Sequence, residues 1–345
     1  MIYSWNKELW DRLIEQIGRL PHALLLAGPQ GGGKTAFARA LAARLLCERA
    51  SGSTEACGNC PSCNWFSSGN HPDFRLVEPG SDEQDDVEVE SETATQKKKS
   101  EQIRINQIRA LDDFLSIGTH RQGVRVIIIQ PAEAMNHATA NALLKMLEEP
   151  SPSTLFMLIT NNKRRLLPTI LSRCQTLNFP KPSVTQALAW LRESGTPHGE
   201  DLLAHAGGMP LAALAETGDW DRLDEFYRDL AQLEHAGPVT ISSRWESWLK
   251  ESKEGGSAVD KRTLVIWMQK WVFDLLIMKL CGLAIFHVHK LQEIRTAAGR
   301  ASISALFDCY NELLRIKAVS QHPLNPRLFL EDMLSRYARA ALSGR

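Results

Sequence analysis

Eight consecutive residues, Gly28-Pro29-Gln30-Gly31-Gly32-Gly33-Lys34-Thr35, carry the spacing of a phosphate-binding loop. Glycines let backbone amides close around an anion, a lysine at this offset reaches terminal phosphates, and the hydroxyl beside it meets magnesium. The segment therefore predicts binding of ATP or ADP through Gly28, Gly31, Gly32, Gly33, Lys34 and Thr35, with the next helix aiming its positive end at the phosphates. A turn that merely joins strand to helix would not call for Lys-Thr at that place. Hydrolysis asks for more, because a carboxylate at the end of a neighbouring strand normally holds Mg2+ and the water is positioned beside it. Here the apolar run Val124 to Ile129 leads into Gln130-Pro131, and the nearest acid along the chain is Glu133. Nucleotide binding with little or no turnover is the expectation.

Cys57, Cys60 and Cys63 form two successive C-x-x-C steps, with Cys47 upstream. Four thiolates at this spacing suit a closed tetrahedral Zn2+ site, structural because no ligand position stays open. The competing reading puts Cys47 on a helix face and leaves the others as free thiols. Cys174, Cys281 and Cys309 lie on apolar patterns and read as core residues.

These groups need a frame. The 345 residues exceed one hydrophobic core, so two or three domains are expected. Apolar runs at residues 22–28, 124–129 and 154–159 read as buried strands, alternating with helical patterns at 36–47 and 138–149. That alternation predicts an α/β domain with a parallel sheet over residues 1–179. Residues 180–236 read as a small helical domain and 237–345 as an all-helical third domain, rich in Trp245, Trp248, Trp267 and Trp271 on amphipathic patterns. Leu275 to Val288 reads as a buried helix rather than a membrane span. The acidic, Lys-ending stretch 78–102 reads as a solvated loop inserted in the first domain. The first residues lack the pattern of a secretory signal, which predicts a cytoplasmic chain, and zero formal net charge gives no global footprint for nucleic acid.

Several stretches resemble the bacterial AAA+ clamp-loader subunits related to the gamma and delta-prime chains of the DNA polymerase III holoenzyme. They are Leu20 to Leu25, the phosphate loop, the cysteine set within 47–63, His71-Pro72-Asp73, Ile105 to Arg109, Ala138 to Pro150 and Leu171-Ser172-Arg173-Cys174. Asn325-Pro326-Arg327-Leu328 is similar to the end of that family's collar domain. The resemblance implies a P-loop domain, a helical lid and an all-helical collar. It implies that Arg173 completes a neighbouring subunit's ATP site in trans, and that Thr160 occupies the place of a first sensor residue, the alternative being that, with no catalysis to sense, it simply ends its strand. The implied partners are the gamma or tau motor subunits, the delta subunit, indirectly the sliding clamp, and primer-template DNA, within a DNA-directed DNA polymerase holoenzyme and away from membranes.

The departures select within the family. Gln130 replaces the motor's acid, and Gly207-Gly208-Met209-Pro210-Leu211-Ala212 offers no sensor arginine. Both losses fall on hydrolysis and favour the stationary, delta-prime type over a gamma- or tau-like ATPase motor. A further alternative, a zinc-containing DNA-binding module using Lys163-Arg164-Arg165, is disfavoured by the neutral charge.

Overall fold

The computed structural model describes residues 2–50, 52–80, 102–116, 123–251, 259–320, 322 and 324–343, so most of the acidic insert lies outside the described residues. The chain divides into two compact units, Met1–Pro182 and Ser183–Arg345.

The first unit is built on five parallel strands, β1 (Ala23–Ala27), β2 (Phe74–Val77), β3 (Arg125–Ile129), β4 (Thr154–Thr160) and β5 (Gln175–Asn178), in the order β2-β3-β4-β1-β5. Its helices are α1 (Lys7–Glu15), α2 (Lys34–Leu46), α3 (Pro61–Ser67), α4 (Ile105–Ser116), α5 (His137–Glu148) and α6 (Pro168–Leu171). A parallel sheet has to be covered on both faces, and the strands divide their side chains accordingly. Leu25, Ile127, Ile129, Phe156 and Leu158 pack with Ile108 and Leu111 of α4, Leu143 and Leu147 of α5, and Ile170 of α6. On the opposite face, Leu24, Leu26, Val126, Ile128 and Met157 meet Trp10 of α1 and Phe37 and Leu41 of α2. Each fully buried Leu or Phe contributes about 1.5–3 kcal/mol, so both faces hold the strand ends rigidly. In this register Ala27 lies beside Thr160, and Val77 beside Ile129, which brings the functional loops together at the carboxyl edge.

The second unit is helical: α7 (Val184–Glu193), α8 (Gly199–His205), α9 (Pro210–Ala215), α10 (Trp220–Glu251), α11 (Lys261–Cys281), α12 (Leu291–Arg300), α13 (Ile303–Val319) and α14 (Pro326–Ala341). Ser183 and Gln186 form a reciprocal capping box at the start of α7. Ala187, Leu191, Leu202, Leu203 and Ala213 make a small core. A larger one joins α10 to α14 and buries Trp245, Trp248, Trp267 and Trp271. Gly237, at φ 75°, breaks α10, yet Leu223, Phe226, Leu230 and Leu233 before the break already belong to the larger core. Those residues fall in the span 180–236 that the sequence pattern assigns to the small helical domain. Two local expectations change. The Leu275–Val288 run is not one buried helix: α11 stops at Cys281 under a left-handed Gly282, and Leu283, Ile285 and Val288 are exposed. Cys281 is exposed with them, whereas Cys174 and Cys309 are core residues as expected, their thiols pushed up by burial to about 11 and about 12.

A polar knot lies within the helical unit. The Asp274 carboxylate accepts the amides of Ile285, Phe286 and His287 and contacts His287 Nδ1 at 2.7 Å. His205 Nδ1 lies 2.6 Å from Glu216, which also pairs with Lys270 at 3.3 Å. Burial pushes the His205 imidazole down to about 4 and lowers His287 too, in each case against a carboxylate that pulls the other way.

Candidate functional site: the phosphate loop, a cysteine cluster and a half-buried arginine

The loop leaves β1 at Gly28 and enters α2 at Lys34. Gly31 and Gly33 take φ of 82° and 87°, the left-handed region that favours glycine. At Gly33 space is short as well, since a Cβ would stand 2.6 Å from the Tyr3 ring. Tyr3 stacks on Trp5 at 4.9 Å, Trp5 Nε1 donates to Gly32 O at 3.1 Å, and Asn6 Nδ2 donates to the same oxygen at 2.8 Å. The amino-terminal segment is thus fastened to the loop.

Lys34 does not project into open space. Its Nζ donates to Gly28 O at 2.9 Å and Pro29 O at 2.7 Å, inside the loop. Burial pushes the ammonium down to about 8, opposed by the charge of Glu133. Thr35 Oγ1 donates to Gln130 Oε1 at 2.9 Å, and Gln130 Nε2 donates to Glu78 Oε2 at 3.1 Å. An amide therefore sits at the strand end where a motor's carboxylate is expected, and it uses both its ends. Glu133 instead accepts the Asn161 amide at 3.0 Å. Sequence distance pointed to Glu133 as the nearest acid, but Glu78, which follows β2, is the one bonded to Gln130. Thr160 is fully buried and its hydroxyl accepts the Asn162 amide at 3.1 Å, closing the turn after β4.

The four cysteines do converge. The Sγ atoms of Cys47, Cys57, Cys60 and Cys63 all lie within 4.8 Å of one another, a separation that one metal ion can bridge. Cys60 caps α3, its sulfur accepting the Cys63 amide at 3.4 Å, and Cys47 accepts the Cys57 amide at 3.3 Å. The Asn59 amide holds the Cys57 thiol down at about 6, and Cys60 is lowered although burial opposes it. Burial and neighbouring thiols push Cys63 up to about 12. The set thus already contains thiolate character and amide donors to sulfur, which fits a metal such as zinc. Behind it, the Asp73 amide donates to His71 Nδ1 at 3.0 Å, and His71 Nε2 meets Ser62 Oγ at 2.7 Å. An imidazole accepting at Nδ1 carries its proton at Nε2, so His71 donates to Ser62, whose hydroxyl donates to Leu46 O at 2.5 Å. His71 ties the cysteine module to the start of β2.

Arg173 is one-third exposed and pairs with Glu148 at 2.5 Å. Its Nη1 also donates to Thr169 O at 2.9 Å and Ser172 Oγ at 3.3 Å.

The family profile "DNA polymerase III, delta subunit" matches residues 5–183. The chain is 34% identical to the DNA polymerase III subunit delta' of Pseudomonas aeruginosa, over 98% of this chain and 97% of that protein. The chain belongs to the delta' family of DNA polymerase III clamp-loader subunits. The delta' subunit of Bacillus subtilis is 32% identical over 77% of this chain and 79% of its own. A gamma subunit-related protein of known structure from Thermotoga maritima aligns with a TM-score of 0.45 and 16% identity, covering 96% of this chain and 99% of that one.

For a delta' chain the remaining positions are chemically ordinary. Lys163, first of the basic triplet, donates to Asn178 at 2.5 Å, while Arg164 and Arg165 are exposed. Within the helical unit, Gly207 and Gly208 take left-handed φ and end α8, and no basic side chain stands in 207–212. Among the described residues no helix is long and apolar enough to cross a membrane. Sequence reasoning missed Trp5, Asn6 and Glu78. The first two carry no pattern that announces a contact with Gly32, whereas Glu78 was within reach once Phe74–Val77 is recognised as the strand beside β3.

Proposed function

We propose that this chain is the stationary member of its clamp loader, a subunit that serves a neighbouring motor's ATP site without turning over nucleotide itself. The observation that carries the reading is the Thr35–Gln130–Glu78 bridge. Magnesium needs a carboxylate at the strand end, and a neutral amide stands there with both hydrogen-bonding ends engaged. The same geometry disfavours a gamma- or tau-like motor. Gly28, Gly31, Gly32, Gly33, Lys34 and Thr35 remain the groups that would hold ATP or ADP. A phosphate entering there has first to release Lys34 from Gly28 and Pro29. Thr160 serves the turn rather than sensing a phosphate.

Arg173 supplies its guanidinium in trans to the ATP of an adjacent subunit, where it stabilises charge spreading over the departing phosphoryl oxygens. Cys47, Cys57, Cys60 and Cys63 hold one structural Zn2+. The lid and collar lie in the helical unit, and the collar joins the chain to its motor and delta partners, which together act on the sliding clamp and primer-template DNA. The test has two arms. The purified chain shows no ATP hydrolysis above background, and a loader reconstituted with Arg173→Ala assembles normally but loses turnover at the served site by about 10³- to 10⁵-fold. Robust hydrolysis by the chain alone, or unchanged turnover in the variant loader, defeats the reading.

A further inference from the structure

The stretch Ala138 to Pro150 is as characteristic as the one around Arg173, yet nothing in the proposed function uses it. The ion pair between them gives it a use. Glu148 ends α5 directly after Met146 and Leu147, and Arg173 lies between Ile170 and Cys174. All four flanking side chains are buried in one core, so the backbones that carry the two charges are held at a fixed spacing by packing.

The guanidinium is not a loose surface group. Arginine has five N–H donors. Nη1 is committed to Thr169 O and Ser172 Oγ, and Nη2 meets Glu148 Oε1, which leaves two donors for an incoming oxygen anion. A long side chain that must be ordered at the moment of reaction loses rotamer freedom then, whereas one already ordered does not.

We propose that Glu148 is a positioning residue for Arg173, holding the guanidinium in the one conformer that presents its free donors to the neighbouring subunit's phosphate. The inference rests on the trans-acting role of Arg173. Glu148 touches no substrate and acts only through the arginine. Its charge also offsets one positive charge at the interface, so the arginine is retained there without an unpaired cation in the absence of nucleotide.

The test is a mutant cycle in the fully reconstituted loader, with clamp- and DNA-stimulated ATP hydrolysis read at equal assembly. Glu148→Gln keeps the shape and removes the charge. It is expected to lower turnover at the site Arg173 serves by about fivefold with KM for ATP little changed, a modest loss because the pair is partly exposed. In an Arg173→Ala background the same substitution has no further effect. Unchanged or raised turnover in Glu148→Gln overturns the inference, and so does an equal loss in both backgrounds, which would make Glu148 a structural residue. Should Arg173→Ala itself leave turnover unchanged, the trans-acting reading falls instead, so the two failures are told apart. Glu148→Asp, one methylene short of Arg173, is expected to behave as Glu148→Gln does; full activity in Glu148→Asp would also count against a positional role.

Discussion

Removing the zinc that the four cysteines are proposed to hold would be the sharpest perturbation of this chain. The module's own core consists of Cys47, Ala50, Cys60 and Cys63, with Ala56 and Cys57 against it, and has no large apolar side chain. One methyl-sized group buried at each of the four core positions contributes about 3 kcal/mol in all. A structural four-ligand zinc contributes about 10–16 kcal/mol to folding in isolated finger peptides, several times more. With zinc bound as proposed, metal rather than packing would hold the module together, and a chelator should unfold it locally. The sheet should survive, because α3 lends only Phe66 to the sheet core. Amide hydrogen exchange reads this directly: with a strong chelator, residues 52–66 are expected to lose protection while β1, β3 and β4 keep theirs. Trp65, at a ring distance of 6.2 Å from His71, gives a second readout by fluorescence, with Trp65→Phe as control. Cys60→Ala should reproduce the chelated state without chelator. Full protection of the module in metal-free protein, verified by elemental analysis, would refute the reasoning.

Gly33→Ala forces a left-handed φ on a residue with a Cβ and drives that carbon into Tyr3, so thermal unfolding should show a loss of about 2–4 kcal/mol; a Tm unchanged to within a degree would contradict the geometry. Gln130→Asp adds a carboxylate beside Thr35 but supplies neither a sensor arginine nor a free Lys34, and phosphate release by the isolated variant should stay at background; sustained turnover would show that one residue alone withheld activity. For the helical unit the sign follows from His205: its folded pKa of about 4 lies below the ordinary 6.5 of an imidazole, so the unfolded chain binds more protons between these values. Stability is therefore full above pH 6.5 and falls as pH drops towards 4, by about 3 kcal/mol, with the lowered Glu216 adding in the same direction below its ordinary range. Urea titrations at pH 7.5 and 4.5 check this, and His205→Gln should shrink the difference, leaving the part that His287, lowered by burial in the same direction, contributes.

Much of the first unit was legible because β1, β3 and β4 are buried on both faces and read as unbroken apolar runs. β2 and β5 were not, since Phe74-Arg75-Leu76-Val77 and Gln175-Thr176-Leu177-Asn178 mix polar with apolar residues at the sheet edges and owe their conformation to pairing with β3 and β1. The cysteine set was recoverable from spacing alone, because ligand geometry is local. The fastening of Trp5 and Asn6 to Gly32 was not, since it joins residues 27 and 26 positions apart through ordinary polar side chains. The tryptophans announced helices in the second unit, but not that α10 before Gly237 shares the larger core. That partition depends on which face of a long helix finds partners. At Cys281 periodicity misled for a similar reason: the apolar pattern continues past the glycine that ends the helix.

His71 has a wider consequence. From the cysteine module the chain of contacts runs through Ser62, His71 and Asp73 into β2, then from Glu78 at the far end of that strand to Gln130 and Thr35. Two sites that look independent in sequence are thus joined by one short strand, itself paired with β3 along its length. Linkage makes any coupling along it reciprocal: if vacating the cysteines alters the loop's affinity for a phosphate by some factor, filling the loop alters metal retention by that same factor. A metal usually regarded as inert scaffolding would then belong to the thermodynamics of the nucleotide site.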